Sequence, residues 1–181
     1  MGEYYGMLTD IEKRIILSLV AIEKVTTLKL HKMFEELGSI EMVLELSVQE
    51  FEKFFGDSGE EIHKKLKYNL DFNFEEYFKF YSVNYIFCDD IYYPKELFRL
   101  YDYPFVIFYR GNKELLLFKR KMSIVGSRNN TEYSEEALES IVPHLLKNYF
   151  LIVSGLAYGV DSLAHEGAIK NGGFTIGVIA H

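Results

Sequence analysis

The spacing of apolar positions changes period part-way along the chain. From residue 11 to 20 the apolar residues Ile11, Ile15, Ile16, Leu19 and Val20 recur at intervals that place them on one helical face. Four pairs read as capping boxes, each with an N-cap candidate three residues before a glutamate: Thr9/Glu12, Ser47/Glu50, Ser58/Glu61 and Asn73/Glu76. A second helix is expected over 27–37, closed by Gly38. Short helices follow near 39–45, 48–55, 60–70 and 74–82. The first 80 residues therefore read as a small all-helical domain.

From about residue 83 short apolar runs take over. "NYIFC", "FVIFYRG", "MSIVG", "FLIVSG" and "FTIGVIA" each read as a strand. Between the last three lie helical segments at 132–148 and 161–171, the second stopped by Gly172-Gly173. Pro143 is expected to kink the first of these or to end its first part. Strands alternating with helices predict βαβ units, so residues 83–181 are expected to hold a mainly parallel sheet of about five strands.

Charge refines this picture. The chain carries a formal net charge of -7, which argues against a general affinity for nucleic acid. The excess sits in residues 1–80, where 10 Lys and Arg face 16 Asp and Glu. Over 110–130 the sign reverses: Arg110, Lys113, Lys119, Arg120, Lys121 and Arg128 face only Glu114. That stretch reads either as a solvated loop or as a local anion-binding patch. The helical part resembles modules of the helix-hairpin-helix or SAM type. Yet its first hairpin, "IEKVTTLKL", has no glycine to let backbone N–H groups approach a phosphate, so it reads as a packing or protein-interaction domain. A single cysteine, Cys88, excludes an internal disulfide and suits a reducing cytoplasm. The N-terminus lacks the basic-then-apolar pattern of a signal peptide. Gly2 does not open a myristoylation motif, because residue 6 is glycine. No apolar run approaches the roughly 20 residues that span a bilayer.

Two loops at strand ends carry the candidate chemistry, since ligands of an open α/β sheet bind beyond the carboxyl ends of its strands. The first is Gly126-Ser127-Arg128: a glycine for close approach, a hydroxyl, and a guanidinium fork suited to phosphate, ahead of a helix N-terminus. The second is Ser154-Gly155-Leu156-Ala157-Tyr158-Gly159, leading into the next helix. Neither is a GxGxxG or a Walker A sequence. Arg128 follows a strand that reads as buried, so it needs either a protein carboxylate, with Glu132 and Asp161 as candidates, or an outside anion. Ser154, Asp161 and His165 contain the residue types of a hydrolytic triad, but Ser154 is not in a GxSxG elbow. His165 reads as structural, bonded to a loop carbonyl or to Asp161. The scattered histidines and lone cysteine offer no metal constellation, and no catalytic residue or cofactor is assigned.

"SIVGSRNNTEYS" and "LIVSGLAYGVDSLAHEGAIKNGGFTIGVI" resemble the DNA-processing protein A (DprA or Smf) family, and "DDIYYPKELFRLYDYPFVIFYRGNKELL" matches that family's lead-in. The resemblance covers about residues 82–181. It implies a Rossmann-like domain that binds single-stranded DNA without catalysis in natural transformation, protects incoming strands, helps load RecA and works as a homodimer. It also implies a phosphate-receiving pocket at Gly126, Ser127 and Arg128, with Ser154, Gly155 and Ala157 as the neighbouring rim. Tyr158 and Lys121 complete the expected nucleic-acid-binding set.

Tyr158 and Phe174 stand where family members often carry a basic residue. Each ring either stacks on a base or packs, and packing is favoured for Phe174 at a strand start. The family's sheet and dimer surface continue beyond a strand like "FTIGVIA", so the 181-residue chain is expected to hold an incomplete sheet and to lack the usual dimer. The runner-up function is a Rossmann-like nucleotide hydrolase of the phosphoribohydrolase type, although "NGGFTIGV" falls short of the Gly-Gly-x-Gly-Thr loop such enzymes need.

Overall fold

The structure is a computed structural model that describes residues 6–179; Gly2 and the chain end at His181 lie outside the described residues. Two compact units, Met1–Lys113 and Glu114–His181, make up the chain.

The first unit opens with five helices: α1 (Asp10–Val20), α2 (Thr27–Leu37), α3 (Val48–Phe55), α4 (Gly59–Leu70) and α5 (Phe74–Phe80). Capping accounts for several of their starts. Thr9 and Glu12 close a full box on α1, and Ser47 and Glu50 do so on α3. Asn73 accepts the Glu76 N–H at the head of α5. The fourth expected box fails. Ser58 makes no side-chain cap bond, because a 3-10 turn over Gly56–Ser58 already leads into α4. Glu61 reaches Lys24 at 2.6 Å and Lys65 at 2.7 Å instead. The helical core gathers Ile15, Ile16, Leu19, Met33, Phe51 and Ile62, all fully enclosed. Arg14 closes the far end of α4, donating to the carbonyls of Leu70 and Phe72 while lying over the Phe74 ring.

Strands β1 (Asn84–Phe87) and β2 (Val106–Tyr109) also belong to this unit and pair antiparallel, Tyr85 opposite Phe108. The five expected strands therefore do not form one parallel sheet. The segment between β1 and β2 carries a buried Tyr93, whose hydroxyl donates to the Pro104 carbonyl at 2.6 Å. That tie folds the segment back, so no crossover helix is there to carry β2 round to a parallel position.

The second unit holds β3 (Lys121–Ser123), α6 (Glu132–Lys147), β4 (Leu151–Ser154), α7 (Val160–Lys170) and β5 (Thr175–Gly177). Its sheet runs in the order β3-β4-β5, with both pairs parallel. The middle strand is the buried one. Its Ile152 packs with Val142, Ala164 and Ala168 from the two helices. The edge strand β3 is largely open, and Val125 beyond it is 72% exposed. The expected buried strand before Arg128 is therefore an exposed edge. α6 also departs from expectation, running unbroken through Pro143 to Lys147. The proline removes one N–H, and the Glu139 carbonyl left over lies on an exposed residue where water can satisfy it. Among the described residues, no helix is long and apolar enough to cross a membrane.

Candidate nucleic-acid interface

The two loops at the carboxyl ends of β3 and β4 meet, and the start of α7 joins them. Val160, its first residue, donates its N–H to the Ser127 carbonyl at 3.1 Å. Gly159, just before it, has φ +82°, and a Cβ there would collide with the carbonyls of Ser127 and Arg128. Only glycine fits that junction. The next residue, Asp161, is buried, and its carboxylate holds both loops. One oxygen accepts the Gly126 N–H at 3.3 Å and the other the Gly155 N–H at 3.0 Å. Ser162 then donates its hydroxyl to the Ala157 carbonyl at 2.8 Å. Three consecutive residues of α7, with the glycine before them, thus fix the rim.

The predicted residues take different roles within it. Gly126 is pressed against Val160 and has given its N–H to Asp161, so it shapes the loop rather than binding an anion. Gly155 is committed in the same way. Ser154 is buried, and its hydroxyl donates to the Ile124 carbonyl at 2.6 Å, tying β4 to the chain beyond β3. That hydroxyl is a tie rather than a nucleophile. Ser127 lies exposed, its oxygen accepting the Asn129 N–H at 3.1 Å. Tyr158 is 84% exposed. Leu156, unremarked in the sequence, holds a left-handed backbone at φ +56° and covers Gly177 with its side chain. Lys121 opens β3 at its amino end, five residues before Gly126. At about 3.3 Å per extended residue it starts roughly 16 Å from the rim.

Arg128 is exposed, which removes the desolvation argument for a partner. Neither expected carboxylate holds it. Asp161 is engaged with the two glycines, and no ion pair joins Arg128 to Glu132 or to any other described residue. The head of α6 is a poor anion site beside it, because carboxylates stand in its first turn. Thr131 and Ser134 cap it with a box, and Glu132 and Glu135 sit in its first turn. On the loop itself, the Arg128 guanidinium, the Ser127 hydroxyl and the backbone N–H groups of these two residues donate to nothing among the described residues and are open to an anion.

His165 is buried, and its partner is neither a loop carbonyl nor Asp161. Its Nδ1 lies 2.6 Å from the Thr175 hydroxyl, which itself donates to the Ile152 carbonyl at 2.9 Å. The hydroxyl hydrogen is therefore spent, so Nδ1 carries the proton it donates to Thr175. Burial holds the imidazole below its ordinary pKa, opposed by the Asp161 charge. Gly172 and Gly173 close α7: their N–H groups return to the carbonyls of Ile169 and Ala168. This is a helix C-cap, at the opposite end of the strand from any phosphate loop. Phe174 does not pack as expected but is 61% exposed, at the amino end of β5. It stands at the other end of the sheet from Tyr158. Among the described residues, no three His, Cys, Asp or Glu side chains gather as a metal site.

The family described as DNA recombination-mediator protein A matches residues 84–181, which take in β1 to β5 and both loops. The chain belongs to that family. It is 43% identical over 105 residues to DNA processing protein DprA of Streptococcus pneumoniae, covering 58% of this chain and 36% of that protein. It is also 43% identical over 88 residues to DNA processing protein DprA of Bacillus subtilis, covering 49% and 30%. The X-ray structure of the Streptococcus pneumoniae protein superposes with a TM-score of 0.64 at 28% identity, over 95% of this chain and 58% of that one. The chain thus spans about a third of the length of these two curated relatives.

Proposed function

We propose that the rim formed by Gly126–Arg128 and Gly155–Gly159 binds single-stranded DNA, with Arg128 as its principal phosphate contact. The observation that carries this reading is an exposed arginine without a carboxylate partner, set on a loop that Gly159, Val160 and Asp161 hold in place. A guanidinium beside a hydroxyl and free N–H groups suits a phosphate oxygen. Tyr158 offers an exposed ring on which an unpaired base can stack, a contact of about 1–3 kcal/mol that a base inside a duplex cannot make. Membership in a recombination-mediator family supports a role in DNA uptake in the cytoplasm. In this reading the full-length protein works as a non-enzymatic homodimer, protects the incoming strand and helps load RecA. A gel-shift titration of single- and double-stranded oligonucleotides tests it. The parent should prefer the single strand, and Arg128→Ala should weaken that binding roughly tenfold, as expected for one charge-assisted contact of about 1.5–3 kcal/mol. Because Arg128 is exposed, the melting temperature should stay put. Equal binding by parent and variant would overturn the assignment.

A further inference from the structure

The amino end of the second unit's sheet carries a surface of different make-up. Two adjoining grooves of about 390 and 420 Å³ open there and share Phe150. Their walls include the cationic Arg120 and Lys147 with His144, and no aspartate or glutamate. Four aromatic rings line the second groove, Tyr149 and Phe174 exposed and Phe118 and Phe150 half-buried. The Arg120 guanidinium lies over the Phe150 ring, 4.6 Å from its centre.

Tyr149 is the anomaly. α6 and α7 end in the same way. In each, the N–H one residue past the cap donates to the carbonyl three residues back, Leu146 on α6 and Ile169 on α7, and the next N–H donates to the carbonyl just before that one. On α7 the left-handed position is filled by Gly172, at φ +70°. On α6 it is filled by Tyr149, at φ +59°, with the ring 76% exposed. The fold therefore has no packing use for that ring, and its backbone would be easier as glycine.

The basic residues have a plain structural reading, since Lys147 and His144 sit in the last turn of α6 and favour the negative end of its dipole. That reading leaves out Arg120, which is on no helix, and the exposed rings of Tyr149 and Phe174. The helix carbonyls are also already capped: Asn148, Tyr149 and Phe150 return their N–H groups to α6, and Gly172 and Gly173 return theirs to α7.

We infer that this amino-end surface is a second contact for single-stranded DNA, separate from the rim at the carboxyl ends. Cations without competing carboxylates suit a phosphate chain, and exposed rings between them suit unpaired bases. The proposal rests on the single-strand reading above but on none of its residues.

The test uses the whole chain with an oligo(dT) strand carrying 5-iododeoxyuridine, photocrosslinked and mapped by mass spectrometry. Affinity titrations use oligo(dT) and an abasic strand of equal length. Crosslinks, assigned to single residues by fragment spectra, are expected at Tyr149 or Phe150 as well as at Tyr158. Tyr149→Gly should weaken oligo(dT) binding roughly five- to tenfold. It should barely change abasic binding, and it should raise the melting temperature by relieving the backbone. Crosslinks confined to Tyr158 and its loop, with Tyr149→Gly binding oligo(dT) as the parent does, would overturn this surface and leave the rim standing. A parent chain that binds neither strand overturns both.

Discussion

Asp161 sets the strongest test of how the rim is built. Among the described residues its carboxylate is the side chain that bonds both loops, and nothing in the single-strand reading has it touch DNA. A hydrogen bond to a charged acceptor contributes about 1.5–3 kcal/mol. The Gly155 bond, at 3.0 Å, is of ordinary length, and the Gly126 bond, at 3.3 Å, is long. Both glycines are exposed, so water recovers part of what is lost. Asp161→Ala should then cost about 2–3 kcal/mol. Asp161→Asn keeps an acceptor for one glycine and turns its NH₂ against the other N–H, for about 1–2 kcal/mol. In a unit of this size each kcal/mol moves the melting temperature by roughly 4–8 °C. The Asn variant should therefore melt about 5–10 °C lower by circular dichroism and lose single-strand affinity. The Arg128→Ala variant should lose affinity without the melting shift. An Asp161→Asn protein that melts within about 1 °C of the parent and binds equally well would refute the claim that this carboxylate holds the rim.

Two further outcomes follow from titratable groups. Burial, with the Asp89 charge beside it, pushes the Cys88 thiol up to about 11, so native protein at pH 8 should react slowly with Ellman's reagent and denatured protein quickly; rapid native reaction would contradict its enclosure. Burial depresses the folded pKa of His165 below the unfolded value of about 6.5, so the unfolded chain takes up the proton first as pH falls. This contribution to stability is complete above about pH 6.5 and is lost progressively below it. Urea midpoints measured from pH 7 to 5 should fall less steeply in His165→Asn, whose amide can still donate to Thr175; identical slopes would argue against it.

What could be read from the sequence was what lies close along the chain. Thr9/Glu12 and Ser47/Glu50 cap helices three residues away, and Gly38 and Gly172 close them, because such bonds involve neighbours only. The parallel order of the last three strands was legible for a similar reason: each crossover carries its own helical period. The pairing of β1 with β2 was not, because it turns on Tyr93 bonding a carbonyl eleven residues away inside an irregular segment. The rim's residues were identified by type and neighbourhood, but which of their polar groups remained free was not. Gly126, Gly155 and Ser154 look like ligand donors in one dimension. In three dimensions Asp161 and Ile124, drawn in from other elements, have already taken them. Lys121 entered the candidate set through nearness in number, and strand direction then carries it to the opposite end of the sheet.

The same separation recasts Tyr158 and Phe174, two rings at positions where the family resemblance implies a basic residue, with packing expected only for Phe174. A parallel strand has two functionally distinct ends, and these rings occupy different ones. At the carboxyl end the chain joins a glycine-dependent loop to an exposed arginine, the place proposed to hold one phosphate. At the amino end helix caps have used the backbone groups and left side chains alone to face solvent. Any grip there comes from rings and long cations, which adapt to whichever base or phosphate arrives. A strand held at both ends would be bound with little regard to sequence, since neither end offers donors arranged for a particular base edge. Affinity for oligo(dT) and for a mixed-sequence strand of the same length should thus agree within a few-fold, and both should fall steeply with salt. A preference of a hundredfold for one sequence would mean that some base edge is being read, and would place the contact elsewhere on the molecule.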